Sequence, residues 1–117
     1  MTQATAVLMM ESKGLAPNVR SRNLHAAWSR LYRTDTHFID LTFNTTQAGV
    51  LQGQLLNADD DLTPVSGKVI LRHTGSEQAQ EALVDGYGQF RLETDLSQAA
   101  SLDIYLEHLQ LTIPSLS

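Results

Sequence analysis

From residue 36 onward the chain alternates apolar and polar side chains with a period of two. Residues 37–43 set Ile39, Leu41 and Phe43 on one side and Phe38, Asp40 and Thr42 on the other. Successive side chains of an extended strand point to opposite faces, so this run reads as a half-buried strand. Residues 50–56 follow with Gly53 inside them, which marks a bulge or a close backbone approach. Residues 68–73, 89–93, 102–107 and 109–113 are of the same kind, and residues 78–84 read as a strand or a short helix. Residues 57–64 and 85–88 carry turn chemistry, because Asn and Asp tolerate Asx-turn geometry, Pro64 cannot donate to a ladder, and Gly86 and Gly88 can take positive φ. Strands recurring roughly every 8–15 residues with turns between them suit an all-β sandwich.

The N-terminal third is ambiguous. Leu24, Ala27, Trp28, Leu31 and Tyr32 fall at helical spacing, with Ser21 or Asn23 as a cap. The competing reading is a strand over residues 28–34 with Trp28, Arg30 and Tyr32 on one face. Periodicity alone favours the helix. The expectation is therefore one β-sandwich of about seven to nine strands, with a short helix near residues 23–33 as an open alternative.

At 117 residues the chain is one domain, with an N-terminal strand and basic segment over 1–35 and the sandwich core over 36–117. It has no cysteine, which excludes a disulfide scaffold, a thiolate nucleophile and Cys-ligated metal centres. The net charge of −5 argues against a general nucleic-acid binder. That charge is unevenly spread: residues 1–47 sum to +2 and residues 48–117 to −7, and no acid occurs from Lys13 to Arg33. A solvated face is the plain reading of this basic window. A docking surface for a protein partner is the sharper one, built on Arg20, Arg22, Trp28, Arg30 and Arg33. The apolar run of residues 6–10 is shorter than a signal-peptide core and follows no basic residue, and no stretch approaches a membrane span. A cytoplasmic location without membrane contact is expected.

Catalytic motifs are lacking. There is no HExxH, no GxSxG and no phosphate-cradling or dinucleotide glycine loop. His25, His37, His73 and His108 are far apart in sequence, and Asp59, Asp60 and Asp61 lack the spaced ligands of a calcium loop. No cofactor, metal or enzymatic role is expected.

Three segments together resemble a known family. They are residues 50–56 (VLQGQLL), residues 64–71 (PVSGKVIL) and residues 85–92 (DGYGQFRL). They are similar to the carboxypeptidase regulatory-like domains, which are transthyretin-like β-sandwiches. Gly53, Pro64, Gly67, Val69, Leu71, Asp85, Gly88, Phe90 and Leu92 stand at matching positions, while Val84 replaces the usual Thr. Residues 9–12, 16–21, 31–33 and 39–41 look like small bacterial proteins that carry this domain, some of them relatives of zinc-finger anti-sigma factors. That likeness implies a first strand over residues 6–11 and a strand over residues 28–34. A zinc-finger sigma binder needs Cys ligands, so the chain departs from that part of the pattern.

The resemblance and the charge layout imply a non-catalytic protein-interaction module in a bacterial regulatory system, presenting loops or a strand edge. One alternative is a self-assembling subunit, held by basic-to-acidic contacts or by an apolar strand edge such as residues 109–113. The other is a small-ligand binder or enzyme, with sugar binding requiring an exposed aromatic.

Overall fold

The computed structural model describes residues 2–13, 28–44, 49–58, 67–75, 77–94 and 99–116. Among them the alternating segments pair into ten strands: β1 (Thr2–Thr5), β2 (Val7–Lys13), β3 (Trp28–Arg33), β4 (His37–Asn44), β5 (Val50–Asn57), β6 (Gly67–His73), β7 (Ala79–Val84), β8 (Gln89–Glu93), β9 (Ala100–Tyr105) and β10 (Leu109–Ile113). They form two five-stranded sheets, ordered β1-β10-β9-β6-β7 and β2-β3-β4-β5-β8. The described chain is all-β, as the alternation requires. It has one strand more than the upper end of the expected range, because the first apolar segment makes two strands. Ala6 is buried, and its N–H donates to the Thr112 carbonyl at 2.8 Å. At that residue the chain leaves β1, parallel to β10, and enters β2, antiparallel to β3.

The core is the inner face of each sheet. Ile39, Leu41, Leu51 and Leu55 from one sheet meet Val69, Leu71, Leu102, Ile104, Leu111 and Ile113 from the other, all fully buried. A one-residue slip would turn each of these sets to solvent, so the alternation fixes the register. Leu116 follows β10 into the core, its N–H donating to the Ala100 carbonyl at 2.9 Å.

Three expectations resolve against the helical or edge reading. Trp28–Arg33 is a strand, paired with β2 on one side and β4 on the other; residues 23–27 of the proposed helix lie outside the described residues. Two ladders satisfy its backbone, and tertiary pairing overrides the helical spacing of Trp28, Leu31 and Tyr32. Ala79–Val84 is likewise a strand. The run Leu109–Ile113 is not an edge, since β10 lies between β1 and β9. Gly53 marks a close approach: the β4–β5 and β5–β8 registers run through it without a shift, and the Phe90 ring fills the space a side chain would take.

The β7–β8 connection crosses between the sheets. The Asp85 carboxylate accepts the N–H groups of Tyr87 and Gln89 at 2.8 and 2.9 Å, and the Gly88 N–H donates to the Asp85 carbonyl at 3.0 Å. Gly88 takes the left-handed backbone at φ 77°; Gly86 does not.

Candidate functional site

The outer face of the second sheet is organised in rows, because directly paired residues stand side by side across strands. One row is Val7, Arg33, Phe38 and Leu56. The next is Met10, Leu31, Asp40, Gln54 and Gln89. The third is Ser12, Ser29, Thr42, Gln52 and Arg91. One corner of the face is therefore apolar and the rest polar.

The apolar corner lies on β2, which is the end strand of its sheet. Val7, Leu8, Met9 and Met10 are 62, 45, 53 and 64% exposed. A bulge between Leu8 and Met10 leaves Met9 as the extra residue. Val7 and Met9 share a shallow depression with Arg33, so the bulge keeps Met9 on the outer face beside Val7 and Met10. Half-buried Leu31, Phe38 and Leu56 continue the patch inward, and the Arg33 guanidinium lies over the Phe38 ring at 5.0 Å. Met, Phe and Arg are residue types enriched at protein interfaces.

The end strands differ in how open they are. β1 has four residues. β7 and β8 run past one another, and the Gln80 side-chain amide donates to the Glu93 carbonyl at 2.8 Å. β2 has seven residues, no proline, and no described strand beyond it. Residues 2–10 carry no charge at all. Over Val7–Met10 the strand carries none of the charges or prolines that block pairing with another chain, whereas Glu11 and Lys13 charge its other half; no described element covers it.

The residues expected from sequence are split by the fold. Trp28, Arg30 and Tyr32 share the inner side of β3. Arg30 pairs with the Glu11 carboxylate, reaches the Tyr32 hydroxyl at 3.4 Å, donates to the Leu116 carbonyl at 2.9 Å and lies 4.0 Å over the Trp28 ring. Burial opposes its charge, but the hydrogen bonds and charges of Glu11 and Tyr32 outweigh burial and hold its pKa above the ordinary arginine value. Its side chain is 11% exposed, so it ties the chain end and β2 to the sandwich. Trp28 also packs on Phe43, with ring centroids 5.8 Å apart. Arg33 faces outward, and Arg20 and Arg22 lie outside the described residues. Sequence reasoning missed Val7, Met9 and Met10. Their signal is an unbroken uncharged run, too short for a signal-peptide core and read as a first strand from the family likeness, with no edge assigned to it.

The histidines do not converge among the described residues, which hold no cluster able to bind a metal ion. His25 and Asp59–Asp61 lie outside them. His37 is buried against the Thr36 hydroxyl, 2.7 Å from Nδ1, and burial lowers its pKa. His73 Nε2 lies 3.1 Å from the Thr94 hydroxyl, while its buried Nδ1 has no partner among the described residues. No described helix is long and apolar enough to cross a membrane. The chain matches no protein-family model, no curated protein and no solved structure.

Proposed function

We propose that the chain is a non-catalytic protein-interaction module that takes an extended apolar strand of a protein partner on the free edge of β2. The carrying observation is the exposed, uncharged run of Val7 to Met10 on an end strand, whose outward residues Val7, Met9 and Met10 adjoin Leu31, Phe38 and Leu56 on the outer face. Unpaired backbone groups of the edge supply affinity, and side-chain positions on alternate residues supply specificity. Arg33 rims the patch and adds a cation to it. A regulatory role in bacteria, with a carboxypeptidase regulatory-like (transthyretin-like) core, is the setting that the family resemblance supplies for this module.

A dye-labelled peptide with the sequence of residues 4–12 is the simplest strand probe. Saturable binding by anisotropy, lost in Met10→Lys, supports the reading; absence of binding overturns it. The same uncharged run also favours self-pairing, because an antiparallel copy centred on Leu8 or Met9 places no like charges opposite one another. A light-scattering mass that doubles with concentration, and stays at one chain in Met10→Lys, selects that second reading.

A further inference from the structure

We propose that the polar half of the same sheet face is a binding groove for a neutral oligosaccharide. Asp40, Gln54 and Gln89 form one cross-strand row and Thr42, Gln52 and Arg91 the next. These six line an open depression of about 510 Å³, within the range of small-molecule sites. Neighbours in a row stand about 4.8 Å apart and the rows about 6.8 Å apart, so the sheet holds the groups as a fixed grid.

The chemistry of the grid selects the ligand. The side chains of Asp40, Gln52 and Gln89 have no hydrogen-bond partner among the described residues. An amide both donates and accepts, and a carboxylate accepts from two adjacent donors. Vicinal hydroxyls, which donate and accept in pairs, match that set. Anions are disfavoured, because Asp40 and Asp85 line the groove while Arg91, the one cation among the described lining residues, is paired with Glu93 at 3.3 Å. No cluster able to hold a metal ion lies among the described residues.

The turn that borders the groove carries an aromatic, Tyr87, whose ring is outside the described lining. The Gln54 amide donates to the Tyr87 carbonyl at 3.3 Å, which fixes the β7–β8 turn against the grid. The two N–H groups held by Asp85 set the shape of that turn in advance. Tyr87 is 74% exposed, and Leu83, 77% exposed, adds an apolar wall. An exposed aromatic offers an apolar face for the C–H side of a sugar ring and a hydroxyl tip for its edge. It is the feature that sequence alone could not establish.

The test is a side-chain amide NMR titration of the ¹⁵N-labelled protein. The probes are linear hexasaccharides of glucose (β-linked and α-linked), xylose, mannose and N-acetylglucosamine, each at about 10 mM, a concentration that detects millimolar affinity. At least one hexasaccharide is expected to shift the Gln52, Gln54 and Gln89 amides together. The shift should survive added salt, since a neutral ligand is not screened. Asp40→Ala/Gln52→Ala and, separately, Tyr87→Ala should each weaken binding by about tenfold, as loss of a hydrogen-bonded or stacking group does. All three are exposed positions whose replacement leaves the core intact. Met10→Lys should leave the titration unchanged, which separates this groove from the β2 edge. No shift with any hexasaccharide, shifts elsewhere on the surface, or shifts given instead by spermidine and abolished by salt would each overturn the proposal.

Discussion

A Cβ at position 53 would lie 2.2 Å from the Phe90 ring, so Gly53→Ala cannot be accommodated without moving Phe90. The variant is expected to lose about 1–3 kcal/mol in urea unfolding, and Gly53→Ala/Phe90→Leu should recover part of it. Arg30→Ala removes the contacts to Glu11, Tyr32, Leu116 and Trp28. A loss of about 2 kcal/mol is expected, with capture of the β2 peptide by the remaining folded protein unchanged. His37 sets a pH dependence. Burial lowers its folded pKa, while the unfolded chain titrates near the ordinary value of about 6.5. Its contribution is complete above that value and is lost as pH falls through it toward the lowered folded pKa. The urea midpoint should therefore drop between pH 7.5 and 5, and drop less in His37→Asn. At this scale the sequence was partly legible. The close approach at Gly53 could be read from a glycine inside a strand. The inward turn of Arg30 could not, because only the fold brings Glu11 and the Leu116 carbonyl to it.

Strand identity was legible wherever alternation was sustained, as in β4, β6 and β10. It stayed open at β3, where Trp28, Leu31 and Tyr32 satisfy a helical spacing and a strand at once. Two flanking ladders decided the outcome, and neither is written in the local sequence. Strand order was less legible still. Leu109–Ile113 reads as a good apolar edge, yet β1 covers it; Val7–Met10 reads as an unremarkable short run, yet it lies on an end strand with no described strand beyond it. Edge status depends on which strands arrive beside a segment, so hydropathy cannot reveal it. Met10→Lys is the element-scale test. A lysine on a free edge blocks pairing without entering the core. It should abolish peptide capture while shifting the urea midpoint little, since Met10 is 64% exposed. A large stability loss would mean that Met10 packs within the fold.

In the whole molecule, the two sheets close one core and leave the outer face of the second sheet divided between an apolar corner and a polar grid. The all-β class followed from period-two patterning, which needs only local sequence. The division of that face did not, since it is assembled from β2, β3, β4, β5 and β8, whose residues are up to 84 positions apart from Val7 to Arg91. The basic-to-acidic charge layout drew attention to residues 13–33, yet within it Arg30 serves the interior and Arg33 the surface. The most direct measurement is residue-resolved amide hydrogen exchange with and without the β2-sequence peptide. Slowed exchange at alternate amides of Val7 to Glu11, with β1, β7 and β8 unchanged, is the expected result. Slowed exchange along β7 or β8 instead, or faster exchange in β3 as the peptide displaces β2, would contradict a strand-accepting edge at β2.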